Sequence, residues 1–287
     1  MFEIISIITA FVGSGIASIF DLKTTEIPDK IPYAMILIAL ILHGIQSIIQ
    51  WNYKPFLNSL ISGISLLAFG FVMYRFGQWG GGDAKILSAI GFLIPEPPSG
   101  FSSLLLPFPA SYLINVFLVG SIYMLFYAFV FSLINRRIFY KFVEDIKASR
   151  EVLSIGSFAL LFSFLFINFL LSTFFNLSFD FIFFLKSSFL LLFLTLFLFT
   201  IWRFTKAVED FGFKKRIHVS KLKVGDVLLK SKLWEGITEK ELKKIRRSGK
   251  KFIYIKEGVR FAPSFPLALF FTLFFGDVLL VFMKILM

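Results

Sequence analysis

Long apolar runs separated by short polar turns set the pattern of the chain. Stretches of about 20 apolar residues, enough to cross the roughly 30 Å hydrocarbon core of a bilayer, fall at 2–20, 31–50, 56–75, 109–134, 152–175, 178–202 and 264–286. A further candidate, fourth in chain order, is short, because Ala84 to Ile94 would rise only about 16 Å as a helix before Pro95-Glu96-Pro97-Pro98 breaks it. The last two runs read as continuous, Phe-rich spans. Between 203 and 262 the pattern changes to a polar segment of α+β character. There Thr238-Glu239-Lys240-Glu241 has the spacing of a capping box, the helix it opens would run to about Ser248, and Gly249 suits its end. The alternation of Phe252 and Tyr254 with Ile253 and Ile255 predicts a strand over 251–256.

Composition turns these runs into membrane spans. Of 287 residues, 57% are apolar and 42 are Phe, and the mean hydropathy is +0.83, which excludes an ordinary soluble domain. The chain has no cysteine, so disulfides, thiolate zinc sites and a cysteine nucleophile are excluded. The first run lacks a basic leader and a small-residue cleavage site, and is expected to be a retained helix. A net charge of +12 points to cytosolic loops facing anionic headgroups of the bilayer and not to nucleic acid.

Charge also orients the chain. If 84–108 crosses, 27 of the 30 Lys and Arg residues, in 21–30, 75–85, 134–151 and 202–262, share one face. The expectation is therefore an all-α polytopic protein of the plasma membrane with about eight transmembrane helices and both termini outside. Its parts are catalytic helices over 1–134, further helices over 135–202, a basic cytosolic α+β insert over 203–262, and a last helix over 263–287.

Two aspartates stand out. Asp21 follows the first span, and Asp83 closes Gly80-Gly81-Gly82-Asp83 and opens the short fourth one. Two crossings separate them, so they emerge on the same face whichever way the chain inserts. Singly, each has a plain structural reading, as a hydrated boundary charge or an N-cap turn. Together they form an acid pair of the kind peptide hydrolysis needs, in which one carboxyl keeps its proton and polarises the carbonyl while the other activates water. The glycines would let an extended substrate backbone approach Asp83, and its place at a helix N-terminus suggests Asp83 as the base.

The Asp21 segment with Ile27-Pro28, and the segment Gly80-Gly81-Gly82-Asp83-Ala84-Lys85, resemble the two signatures of the type IV prepilin and archaeal preflagellin peptidases, the Gly-x-Gly-Asp membrane aspartic proteases. The resemblance implies that Asp21 and Asp83 are the catalytic acids, with no metal or other cofactor, and that Pro28, Gly80, Gly81, Gly82 and Lys85 shape the site. It implies cytosolic cleavage of short basic leader peptides from pilin-like or archaellin-like precursors, just before an apolar helix. Larger bacterial members carry a cysteine-rich domain that this chain lacks. The insert and the following Gly258-Val259-Arg260-Phe261-Ala262-Pro263 are more similar to archaeal members.

Other charges compete for attention. Lys186 and Asp277 sit at similar depth in the seventh and eighth spans and are expected to form a structural ion pair. The alternative is an ion-coupled transporter that uses both. Glu26 and Asp29 read as solvated loop carboxylates, and no metal-ligand spacing links His43 to His218.

Overall fold

The computed structural model describes residues 1–101, 104–175, 181–229, 231, 236–256 and 258–278. They form ten α-helices and three strands: α1 (Phe2–Thr24), α2 (Lys30–Ile49), α3 (Lys54–Arg75), α4 (Gly81–Leu93), α5 (Phe108–Ile134), α6 (Arg136–Ala148), α7 (Arg150–Phe174), α8 (Phe181–Val208), β1 (Lys214–His218), β2 (Val227–Leu228), α9 (Glu239–Arg247), β3 (Phe252–Lys256) and α10 (Ser264–Phe275). Six of the helices, α1, α2, α3, α5, α7 and α8, are long and apolar enough to cross a membrane. Their outward side chains are largely Ile, Leu and Phe, as lipid contact requires. The chain divides into two compact units, residues 1–127 with 214–287 and residues 128–213.

The first unit is built around α4. Residues 86 to 94 of this short helix and its end are all buried, and α1, α2 and α3 pack on it. Apolar burial against lipid gives little drive, so close backbone approach and van der Waals fit must hold such a bundle. The sequence supplies small residues for this. On α1 the buried stripe is Ser6, Ala10, Ser14, Ala17, Ser18 and Asp21. On α3 it is Ser59, Ser62, Gly63, Leu66 and Gly70. A side chain at Gly70 would lie 2.8 Å from Cα of Ala84, and one at Gly63 would enter the ring of Phe92. Ser59 and Ser88 close the seam by donating to the carbonyls of Phe92 and Gly63 at 2.7 and 2.9 Å.

The polar insert folds as expected, on a smaller frame. Its sheet has the order β1-β3-β2, antiparallel throughout. Ile253 and Ile255 turn inward to Leu222, Ile237 and Leu242, while Phe252 and Tyr254 are exposed. Thr238 and Glu241 cap α9 reciprocally, and Gly249 takes a φ of 72° just past its end, a left-handed turn that favours glycine. The helix α8 continues past residue 202 to Val208 and a π-helical turn over Glu209–Phe213, so the insert proper begins at Lys214.

Two elements depart from the sequence reading. The last span was expected to be one continuous run over 264–286, but α10 stops at Phe275 and Gly276 turns the backbone at φ 76°, ψ −138°. Asn115 of α5 permits the break by taking up the freed groups: its Nδ2 donates to the Gly276 carbonyl at 2.9 Å, and its Oδ1 accepts the Val278 N–H at 3.1 Å. The remainder of that span lies outside the described residues. The second departure is α6, a helix in the loop expected only to carry cations. In the second unit, α6 packs Ile138 and Phe142 with Phe204, Ala207 and Val208 of α8, and Asp145 faces Arg203 at 3.5 Å. Also in this unit, α7 packs on α8, with Asn168 donating to Ser188 Oγ at 3.0 Å.

Candidate active site

The carboxyl end of α1 and the amino end of α4 meet at one end of the first unit, bringing Asp21 and Asp83 to the wall of a single cavity of about 1090 Å³. The membrane helices supply one side of it, including Thr24 to Ile27 and Gln78 to Gly82. The insert and the segment after it supply the other, from Lys215, Lys223 to Val227, Gly236 to Thr238, Ile255, Lys256, Gly258, Val259 and Phe261. The chain leaves α1 through Thr25 at φ 59°, an unusual backbone for a β-branched residue and of a kind that clusters at functional sites.

Asp21 is buried. Its Oδ2 accepts the N–H of Ala262 at 2.9 Å, across 241 positions of sequence. Asp83 stands in the first turn of α4, three residues after the N-cap Gly80, ahead of the apolar part of that helix. Its Oδ2 accepts the Gly80 N–H at 3.0 Å, which leaves Oδ1 for other contacts. Burial of the carboxyl group and the charge of Asp21 push Asp83 up to about 7, against the opposing effect of the Gly80 hydrogen bond. Burial and like charge therefore outweigh whatever the helix N-terminus contributes to the ionised form. The two carboxyls bear on one another's charge, so they titrate as a coupled pair, with Asp21 also the acceptor of a backbone N–H.

The glycines divide by role. Gly80 is the N-cap donor. A side chain on Gly82 would lie 2.8 Å from Cβ of Ile27, so glycine here lets the 26–28 turn pack against α4. Gly81 has only Tyr74 nearby, at 3.9 Å from a built Cβ. Lys85 turns to the α2 entry, where its Nζ meets Asp29 Oδ1 at 2.6 Å and lies 5.3 Å from the centre of the Tyr33 ring. It thereby ties the two signature segments together. The carbonyl of Pro28 accepts the Ile31 N–H at 3.0 Å and starts α2. Glu26 is exposed at the cavity wall.

Sequence reasoning singles out neither Ala262 nor Arg260 for a role. Arg260 donates from Nε to the Leu22 carbonyl at 2.9 Å and from Nη1 to Tyr127 Oη at 2.8 Å, and its own carbonyl accepts from Tyr123 Oη at 3.1 Å. Trp79 stacks on Phe117 and leans on Phe261, each with ring centres 5.7 Å apart, forming an aromatic support under the segment. Far from the pair in sequence, Asp277 is buried and its Oδ2 accepts the Leu105 N–H at 2.7 Å. Its expected partner Lys186 is exposed on α8 in the second unit.

Residues 8–134, which contain both aspartates, match the family model described as the type IV leader peptidase family. Relatives with curated names are similar to the chain in part. The prepilin peptidase EppA of Methanothermobacter thermautotrophicus is 28% identical over 159 residues, 52% of this chain and 41% of that one. The preflagellin peptidase of Methanocaldococcus jannaschii is 37% identical over 92 residues, 32% of this chain and 39% of that one. The preflagellin peptidase of Methanococcus maripaludis is 30% identical over 131 residues, 44% of this chain and 56% of that one. The chain thus spans about two fifths of the length of the first two relatives.

Proposed function

We propose, taking as premise that residues 8–134 are those of a type IV leader peptidase, that the chain is an aspartic endopeptidase that uses Asp21 and Asp83. In this reading it removes short basic leaders from pilin-like or archaellin-like precursors at the cytosolic edge of the membrane. The observation that carries the proposal is the meeting of the two carboxyls at one cavity, where the charge of Asp21 helps raise Asp83. A protonated Asp83 donates to the scissile carbonyl oxygen, while ionised Asp21 takes a proton from the attacking water. The tetrahedral intermediate then collapses as the amine leaves with a proton returned by the pair. The cavity, open to the insert on one side and to the bundle on the other, suits a polar leader joined to an apolar helix.

Incubating the purified protein with a leader-bearing precursor tests this by mass spectrometry of the products. A single cut between the polar leader and the apolar helix is expected, lost in Asp83→Asn and retained in Glu26→Gln. Equal cutting by Asp83→Asn would remove Asp83 from the chemistry.

One observation favours a second reading, an ion-coupled transporter using Lys186 and Asp277, because broken spans are a mark of such proteins and α10 breaks at Gly276. The backbone groups freed there are already met by Asn115, and the Asp277 carboxylate by Leu105. Ion flux in vesicles that disappears in Asp277→Asn, without any proteolysis, would put transport first.

A further inference from the structure

The geometry points to Arg260 as a positioning residue for the catalytic carboxylate of Asp21, an inference that rests on the peptidase reading. Asp21 is the last buried residue of α1, at a helix end that its own backbone bonds hold poorly, since the final carbonyls of a helix have no partner within it. Its Oδ2 is oriented by the Ala262 N–H. That N–H lies just ahead of α10, whose first turn holds the carbonyls of Phe261 and Ala262 at 2.9 and 3.1 Å, so what remains is to fix the chain on its residue 260 side.

Arg260 does so from both sides. Its Nε donates to the carbonyl of Leu22, the neighbour of Asp21, and so takes up one of the orphan carbonyls of α1. Its Nη1 donates to Tyr127 Oη on α5, and its backbone carbonyl is held by Tyr123 Oη one turn earlier on the same helix. The guanidinium therefore joins α1, α5 and the 260–262 segment, and Ala262 delivers its N–H to Asp21 from that frame. The planar fork with several donors is what makes the junction possible, and a lysine ammonium on a flexible stem cannot reproduce both directions at once. Because β3 ends at Lys256 and Gly258 lies against Thr25, 3.2 Å from its Cβ to a built side chain, the same segment links the insert to the end of α1. Arg260 is thus placed to hold Asp21 in register and not to meet the substrate.

Steady-state cleavage of a leader-bearing precursor by the purified protein in detergent tests the inference. Arg260→Gln is expected to lower kcat by about 10²-fold, the cost of a catalytic group misplaced by about 1 Å, with KM nearly unchanged. Arg260→Lys should recover part of that loss, and Tyr127→Phe should lose less than Arg260→Gln. An unchanged kcat in Arg260→Gln overturns the inference, as does a rise in KM alone, which would make Arg260 a substrate contact. If Arg260→Gln does not fold, kcat at the wild-type value in both Arg260→Lys and Tyr127→Phe overturns it instead. Asp21→Asn run alongside separates the two levels: if it is inactive while Arg260→Gln is normal, only the role of Arg260 falls. If Asp21→Asn cuts at the wild-type rate, the reading of the aspartate pair falls.

Discussion

A carboxyl pushed up to about 7 is the residue-scale fact with the plainest consequences. If Asp83 supplies the proton to the substrate carbonyl, cleavage falls as pH rises through about 7, and a rate profile between about pH 5 and 9 checks it. Stability moves the same way. The folded state keeps a proton that the unfolded chain, with Asp83 near 3.8, gives up, so unfolding becomes harder as pH falls from about 7 toward 4, with no further dependence on this group above about 7. Thermal unfolding of the wild type against Asp83→Asn, in which that pH dependence should shrink, measures this. The exposed Lys85–Asp29 pair is a different kind of contact, and Lys85→Ala should cost under about 1 kcal/mol, read as a small shift in midpoint. The meeting of the two aspartates was legible in the sequence because two apolar runs separate them, which brings both to one face. The placing of Arg260 and Ala262 was not, because their contacts to Leu22 and Asp21 span more than 200 positions of sequence, and a backbone N–H carries no residue signature.

At the scale of elements, small residues decide how closely α4 can be wrapped. Gly70→Leu would drive a side chain into the backbone of Ala84, and overpacking of this kind costs about 1–3 kcal/mol. Gly15→Ala, with open space around it, should leave stability equal or slightly higher. Thermal unfolding in detergent distinguishes the two. Most elements here follow from run length and periodicity, and the insert's helix and strand were legible down to the capping residues. The helix α6 carried a signal of its own, with Ile138, Phe142 and Ile146 four apart, set among charges that suit a solvated loop equally well. The break of α10 at Gly276 was hidden because glycine is common in membrane helices, and what permits the break is Asn115 on another helix.

For the whole molecule, the insert is a wall of the cavity as well as a solvated domain, and its side of the membrane follows from the peptidase reading. The absence of cysteine makes that testable without background. Ser248→Cys, beyond α9, should label with an impermeant maleimide only from the cytosolic side, and Ser99→Cys, past the far end of α4, only from outside; the opposite pattern would invert the topology. We propose that Asp21 and Asp83 act as one catalytic unit. Groups of that kind are grossly non-additive, so the most direct measurement is the precursor cleavage rate of Asp21→Asn, Asp83→Asn and the double variant, with all three folded and inserted. Either single substitution should bring the rate to background with the double going no lower, whereas a single variant that keeps cutting near the wild-type rate would show that the two aspartates do not act together.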